Sequence, residues 1–251
     1  MKKEYITDSA WGKILNIVTT LKNIYIKEEE ALRRFFNGVF YIMRTGAQWR
    51  ELPEVYGKWS AVFRRFKRWS DKGIWERLFE YCIEDPDLEY VMMDATIVRA
   101  HACAAGLEKD SHNKEALGRS KGGYTTKIHI LADGLGNPLK FIVTPGQTSE
   151  ITQANELLAD VTNCAVIADK GYDSNDLRTN LLVKQCKSVI PGRKNRIVEI
   201  PYDTHLYKER SLVEFLISKL KHFRRISSRY DKSKKSYLSF LSFAGACLWL
   251  R

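Results

Sequence analysis

The hydrophobic positions in the N-terminal third of the chain recur at the spacing of amphipathic helices. The clearest case lies between residues 27 and 45, where apolar side chains are three or four residues apart: Leu32, Phe35, Phe36, Val39, Phe40 and Met43. Glutamates open this segment and Gly46 follows it, as is typical of the two ends of a helix. The same spacing predicts further helices at residues 9–18, 60–69 and 74–82.

The pattern changes at Glu84-Asp85-Pro86-Asp87, a run that interrupts regular structure and marks a domain boundary. Beyond it, short apolar runs predict strands at residues 90–98, 125–131, 139–143, 164–168 and 188–190. Helices are expected at residues 149–160, 174–185, from about 207, and at 236–250. We therefore expect a small all-helical domain at 1–84 and an α/β domain at 88–251. Strand, hairpin, helix, strand, helix, strand, helix is the order of an RNase H-like domain with a mixed sheet.

The net charge of the chain indicates which class of partner it binds. The 251 residues carry a formal net charge of +11, which attracts polyanions, of which nucleic acid is the most common. An anionic membrane surface is the alternative, but the sequence contains no apolar run of about 18 residues and no signal-peptide core. The five scattered cysteines form no CxxC pair and suit a reducing compartment. We therefore expect a cytoplasmic protein with no membrane partner.

Three carboxylates are the candidates for chemistry. Asp94 follows the apolar run Val91-Met92-Met93, Asp169 ends a second apolar strand, and Glu214 lies on a predicted helix. Charged residues within apolar strands are costly unless they are paired or bind a metal, and the carboxyl ends of α/β strands are where sites form. Such a set can hold divalent cations for phosphoryl transfer on nucleic acid. The alternative for each aspartate is a hydrogen bond to a turn or a helix cap.

The predicted helix around Glu214 carries polar residues at a regular spacing. Tyr207, Arg210, Glu214 and Lys221 are separated by three, four and seven residues, so all four fall on one helix face. Glu214 can complete a metal site, while Arg210 and Lys221 can bind phosphate. Periodicity alone equally allows the solvated face of an amphipathic helix.

These motifs together resemble bacterial insertion-sequence transposases of the DDE class, in particular the group named after insertion sequence five. The resemblance rests on Asp94, on Asp169-Lys170-Gly171-Tyr172-Asp173 and on the pattern Tyr207-x2-Arg210-x3-Glu214-x6-Lys221. Segments 44–53, 64–69, 118–129 and 223–232 also resemble that group, so the similarity covers nearly the whole chain. One departure is the segment 23–27, where members of the group often have a Gly-Arg-Pro-like stretch.

The resemblance implies a mechanism. Two Mg²⁺ ions, for which Mn²⁺ is expected to substitute, would be held by Asp94, Asp169 and Glu214. The enzyme would bind the terminal inverted repeats of its insertion sequence, cut the DNA strand there, and transfer the freed 3′ end into target DNA. Because two ends must be brought together, a homodimer or larger synaptic complex on double-stranded DNA is expected.

Two basic segments are candidates for contact with DNA. The third predicted helix carries Arg64, Arg65, Lys67 and Arg68, and its arrangement suggests a helix-turn-helix that recognises the element's end. A helix that only contacts phosphates or solvent fits these residues equally well. A second tract, which includes Lys221, Arg224 and Arg225, is expected to follow the DNA backbone near the active site.

Two other functions remain open on sequence grounds. A DNA-binding regulator that has lost transposition is one, although none of the three carboxylates is missing. An RNase H-like repair nuclease is the other, and the N-terminal helices and the Tyr-Arg-Glu-Lys pattern disfavour it.

Overall fold

The computed structural model describes residues 4–22, 24–105 and 114–251. These residues form two compact units. The first, the helical unit, comprises residues 1–84, 100–107 and 220–251; the second, the sheet unit, comprises residues 85–99 and 108–219.

The helices are α1 (Asp8–Thr20), α2 (Glu29–Thr45), α3 (Trp59–Asp71), α4 (Ile74–Cys82), α5 (Ile151–Leu157), α6 (Asn175–Val183), α7 (Ser211–Lys221), α8 (Arg224–Ser227) and α9 (Lys234–Trp249). The strands are β1 (Tyr90–Ala100), β2 (Gly118–Ser120), β3 (Gly123–Ala132), β4 (Pro138–Pro145), β5 (Ala165–Ala168), β6 (Lys187–Val189) and β7 (Ser228–Arg229). Every helix in the described ranges is too short or too polar to cross a lipid bilayer.

The ends of the first two helices follow from local chemistry. The hydroxyl of Thr7 accepts a hydrogen bond from the backbone N–H of Ala10 and caps α1. Gly46 ends α2 at φ 69°, a left-handed conformation that residues with a Cβ adopt only at a cost. Both ends agree with the helices predicted from the sequence.

Aromatic side chains fill the core of the helical unit. The ring of Phe66 on α3 stacks on that of Phe240 on α9, with centroids 4.4 Å apart. Trp75 on α4 contacts Phe36 on α2 at 5.5 Å and Phe243 on α9 at 5.0 Å. Each pair adds roughly 0.5–1.5 kcal/mol to the free energy gained from burying its surface. These contacts fix the C-terminal helix among the N-terminal helices.

The sheet of the second unit is mixed, with strand order β2-β3-β1-β5-β6 and β4 on β3. β1 is antiparallel to β3 and parallel to β5, and β5 is parallel to β6. A meander of antiparallel strands followed by parallel strands reached through helices is the topology expected of an RNase H-like domain. The predicted fold class is confirmed, with a helical N-terminal region before it.

Two features differ from the pattern of the sequence. Strand β2 lies between the predicted strands 90–98 and 125–131, in a polar, Gly-containing segment for which the sequence predicts neither helix nor strand; residues 106–113 of that segment lie outside the described residues. Residues 220–251 pack in the helical unit, although they belong to the expected 88–251 domain. The functional domains 1–84 and 88–251 therefore stay a prediction, and only the boundary after Glu84 coincides with a limit of the compact units.

Candidate active site

Asp94 and Asp169 lie at equivalent positions on neighbouring strands. In the parallel ladder between β1 and β5, Met93 pairs with Ala168. Asp94 is the next residue of β1 and Asp169 directly follows β5, so the two side chains leave the sheet at neighbouring positions on the same face. The two carboxylates that the sequence singles out are therefore neighbours in space.

The carboxylate of Asp94 is largely removed from water. Its Oδ1 accepts a hydrogen bond from the N–H of Ala95 at 2.7 Å, and its Oδ2 accepts one from Nη2 of Arg210 at 3.1 Å. Burial raises the pKa of Asp94 above its ordinary value; the positive charge of Arg210 opposes this effect, and the negative charges of Asp169 and Glu150 add to it. Asp94 is thus a buried carboxylate whose ionised form is favoured by nearby positive charge.

The position of Asp169 allows two roles, capping of a turn and binding of a cation. Asp169 directly follows β5, and its Oδ1 accepts a hydrogen bond from the N–H of Gly171 at 2.7 Å, so it caps the 3-10 turn Lys170–Tyr172. Only this one hydrogen bond to its carboxylate occurs among the described residues. A capping role for one oxygen leaves the carboxylate able to bind a cation.

Glu214 reaches the pair through Arg210. Nη1 of Arg210 donates to Oε1 of Glu214 at 2.5 Å, while Nη2 of the same guanidinium holds Asp94. Glu214 lies on α7, whereas Tyr207 and Arg210 lie on the preceding 3-10 turn Leu206–Arg210. The expected helix from Tyr207 therefore starts with a tighter turn. Burial makes the largest contribution to the raised pKa of the Tyr207 hydroxyl. The charge of Arg210 lowers this pKa, and the charges of Asp169 and Asp94 raise it.

The donors suit a hard divalent cation, which prefers carboxylate oxygens. As the side chains are placed, however, no group of three or more His, Cys, Asp or Glu residues within the described ranges could hold a metal ion. Arg210 pairs with one oxygen of Asp94 and one oxygen of Glu214. As the side chains are placed, these two oxygens are therefore already neutralised by a protein cation.

The structure distributes the predicted DNA-contact residues between exposed and buried positions. Arg64 and Arg68 are exposed on α3, and Lys67 forms an ion pair with Asp71. The guanidinium of Arg65 lies over the rings of Phe35 and Trp69, 4.6 and 5.0 Å from their centroids. This placement makes Arg65 part of the packing of the helical unit.

The second basic tract is also divided. Lys221 and Arg224 are exposed. Arg225 is buried, where its guanidinium binds both oxygens of Asp231 at 3.0–3.1 Å and donates to the carbonyl of Ala47. Its charge is thus compensated inside the helical unit, in contrast to those of Lys221 and Arg224.

Sequence reasoning missed three polar residues beside the aspartates: Lys127, Glu150 and Tyr172. Lys127 forms an ion pair with Glu150, and Tyr172 is fully buried next to the turn of Asp169. The charges of Glu150, Asp94 and Asp169 all act on the Tyr172 hydroxyl. The available signal was a lysine within an otherwise apolar strand, which is costly unless it is paired.

A mixed sheet that brings Asp94 and Asp169 to neighbouring strand positions, beside an arginine that holds Glu214, supplies the carboxylates that metal-assisted phosphoryl transfer requires. The family model for the transposase DDE domain matches residues 86–248, and a model described as "Putative transposase of IS4/5 family" matches residues 6–79. The chain belongs to the DDE transposase family. It is accordingly a transposase that cleaves and transfers DNA, and the family implies DNA binding and dependence on a divalent metal.

Curated relatives agree with this assignment. The chain is 38% identical over 133 residues to the "Putative transposase for insertion sequence element IS6501" of Brucella ovis, covering 51% of this chain and 99% of the relative. It is 30% identical over 135 residues to the "Putative transposase for insertion sequence element IS402" of Burkholderia cepacia, covering 49% of this chain and 61% of the relative.

Solved structures of transposases also resemble the chain, at low similarity. A piggyBac transposase synaptic complex with hairpin DNA aligns with a TM-score of 0.44 and 15% identity over 79% of this chain and 51% of that chain. A pre-cleavage Mos1 transpososome aligns with a TM-score of 0.30 and 10% identity over 91% of this chain and 79% of that chain.

Proposed function

We propose that Asp94, Asp169 and Glu214 are the catalytic carboxylates with which this chain cuts the ends of its insertion sequence and joins them to target DNA. The observation that supports this most is the placement of Asp94, within β1, beside Asp169, directly after the parallel strand β5, with Arg210 linking Asp94 to Glu214. Phosphoryl transfer requires that the reacting groups be positioned and their charge stabilised, with little covalent chemistry by side chains.

The three carboxylates would hold two Mg²⁺ ions, for which Mn²⁺ can substitute. Bound divalent ions lower the pKa of an attacking water and stabilise the leaving 3′-oxygen. Glu214 becomes available when Nη1 of Arg210 releases it, and that arm can then bind a phosphate oxygen while Nη2 stays on Asp94. Tyr207 lies on the same turn, and its hydroxyl can donate a hydrogen bond to a phosphate oxygen nearby.

The partners follow from this reaction. The substrates are the inverted-repeat ends of the element and a target duplex, and exposed Arg64, Arg68, Lys221 and Arg224 supply positive charge for the DNA backbone. Two ends have to be held together, so we propose a homodimer or larger synaptic complex. Its place of action would be the nucleoid in the bacterial cytoplasm.

The test is cleavage of a labelled duplex that carries the element's own end, in Mg²⁺ and in EDTA. Asp94→Asn should abolish nicking while it leaves binding of the duplex unchanged, because the substitution removes a charge and keeps the shape. Asp176→Asn, an exposed aspartate on α6, is the matched control and should cut like the unmodified protein. Binding without cleavage by the unmodified protein would instead favour a regulator that has lost transposition.

A further inference from the structure

Glu150 lies immediately before α5 and is held by a lysine from the sheet. Nζ of Lys127 on β3 donates to Oε1 of Glu150 at 3.2 Å. The Lys127 side chain is 9% exposed and that of Glu150 27% exposed. Among the described residues, Oε2 of Glu150 accepts no hydrogen bond. One oxygen of the carboxylate is therefore fixed, and the other is available.

The available oxygen faces Asp169 across Gly171. A Cβ built on Gly171 would lie 2.8 Å from Oδ1 of Asp169 and 3.1 Å from Oε2 of Glu150. Both carboxylates thus border the same small space, which the absence of a side chain at position 171 keeps open. Two negative oxygens directed at one space repel each other unless a cation or a polarised water lies between them.

A third group at this place also lacks a partner. Tyr172 is fully buried, and its hydroxyl has no hydrogen-bond partner within the part of the chain that the structure describes. Burial raises the pKa of this hydroxyl, and the negative charges of Glu150, Asp94 and Asp169 raise it further. A buried hydroxyl without a partner costs about 1–3 kcal/mol, so its partner is expected to be a bound ligand or water.

We propose that Glu150 is a fourth carboxylate of the metal-binding centre, with Oε1 on Lys127 and Oε2 directed at the Gly171 space. The inference rests on the proposed function, since it adds a residue to the centre of Asp94, Asp169 and Glu214. Oxygen ligands beyond the first three complete the coordination of a hard cation either directly or through its bound water, and the Tyr172 hydroxyl can hold such a water. Lys127 contacts Glu150 and not the reacting atoms, and its positive charge competes with a metal ion for this carboxylate.

Metal binding without DNA tests this directly. Binding of Mn²⁺ to the full chain is measured from the electron paramagnetic resonance signal of the free ion. Glu150→Gln should raise the dissociation constant about 10-fold, the lower limit for a group that supports a metal site. Glu156→Gln is the matched control, since Glu156 is exposed on the same helix and should leave the constant unchanged.

Lys127→Gln provides a variant with the opposite expected sign. Removing the lysine charge removes a cation that competes with the metal for Glu150, so Mn²⁺ should bind more tightly, by about 3-fold or more. If the ion pair only supports the fold, Glu150→Gln and Lys127→Gln would both lower the free energy of unfolding and neither would change Mn²⁺ binding. Circular dichroism and urea unfolding of each variant accompany the measurement.

The outcomes separate the two proposals. An unchanged Mn²⁺ constant in folded Glu150→Gln would overturn the role of Glu150, while loss of Mn²⁺ binding in Asp94→Asn would still support the catalytic centre. Unchanged Mn²⁺ binding in Asp94→Asn would contradict the centre itself. Should Glu150→Gln fail to fold, Lys127→Gln decides: tighter binding supports the proposal, and an unchanged constant rejects it.

Discussion

One guanidinium, that of Arg210, joins two carboxylates that lie far apart in the sequence, Asp94 and Glu214. Its two arms donate to Oδ2 of Asp94 at 3.1 Å and to Oε1 of Glu214 at 2.5 Å, while its Nε is buried without a hydrogen-bond partner among the described residues. The fork of an arginine can make both bonds at once, which the single ammonium of a lysine cannot do in the same geometry. Arg210 therefore supplies a positive charge that opposes the effect of burial on the pKa of Asp94.

The first prediction concerns this fork. Arg210→Lys should lower the rate of single-turnover cleavage at least 10-fold and the free energy of unfolding by about 1–2 kcal/mol, because one of two carboxylates loses its partner. Lys208→Gln, an exposed change on the same turn, should alter neither quantity. A lysine variant with the original rate and stability would show that the second arm contributes nothing.

The second prediction concerns Asp173, which ties the segment after β6 to the turn of Asp169. Its side chain is 1% exposed and binds Arg178 and Arg196, and its Oδ2 also accepts the N–H of Arg193. Asp173→Asn should lower the free energy of unfolding by about 3 kcal/mol at neutral pH, because two arginines lose their counter-charge. Urea unfolding measures the loss, and tryptic cleavage at Arg193 should become faster.

The Asp173 carboxylate also predicts how the stability of the protein depends on pH in acid. Arg196, ahead of the other contacts, holds the pKa of Asp173 well below its ordinary value. A depressed pKa in the folded state stabilises the protein above the unfolded-state pKa and ceases to do so as pH falls below it. The difference in unfolding free energy between Asp173→Asn and the unmodified protein should therefore shrink below about pH 4; a constant difference would contradict this.

A third prediction uses His129, a fully buried histidine on β3. Its Nε2 pairs with the hydroxyl of Thr144 at 2.8 Å, and its Nδ1 has no hydrogen-bond partner in the described ranges. Burial, helped by the charge of Lys127, lowers the pKa of His129 from 6.5 to about 4. The unfolded chain therefore binds the proton first as pH falls, and stability is lost between these two values.

The expected loss between pH 7 and pH 5 is about 2 kcal/mol of unfolding free energy. Urea unfolding at the two pH values measures it. His129→Asn should be less stable at pH 7 but should lose less on acidification, whereas exposed His205→Asn should behave like the unmodified protein. Equal pH dependence in all three proteins would show that His129 is not the titrating group.

The fourth prediction distinguishes the arginines of α3. Replacing Arg64 and Arg68 together by Gln should weaken DNA binding and reduce the slope of log affinity against log salt by about 2, since each phosphate contact contributes about 1. Arg65→Gln should instead lower the free energy of unfolding by about 1 kcal/mol, through lost contacts with Phe35 and Trp69, and leave the slope unchanged. Fluorescence anisotropy at several salt concentrations and urea unfolding provide the two measurements.

Much of the fold was readable because it depends on local pattern. Apolar residues three or four positions apart locate α2, and a threonine cap and Gly46 locate the ends of helices. Two apolar runs, each followed by an aspartate, locate β1 and β5. Burial of one apolar face of each helix or strand contributes a large share of the folding free energy, so apolar residues recur in the sequence at the period of that element. The candidates Asp94 and Asp169 followed from the same signal, since a charge at the end of an apolar strand stands out.

Other features depend on which distant segments meet. No local pattern shows that α9 packs with Phe66 and Trp75, that Asp231 neutralises Arg225, or that Lys127 reaches Glu150. A lone arginine or glutamate has the same sequence signature whether it faces DNA, solvent or a buried partner, because its energy is set by desolvation and by charges brought near it in folding.

The sequence by itself therefore determined the elements, the mixed fold and the family-like set of three carboxylates. Only the tertiary structure decided that Asp94 lies beside Asp169, that Arg210 holds Asp94 and Glu214 together, and that Glu150 faces Asp169 across Gly171. The physical reason is range: helix and strand patterns are properties of neighbours in the chain, whereas the electrostatics of a site are sums over groups that folding brings together.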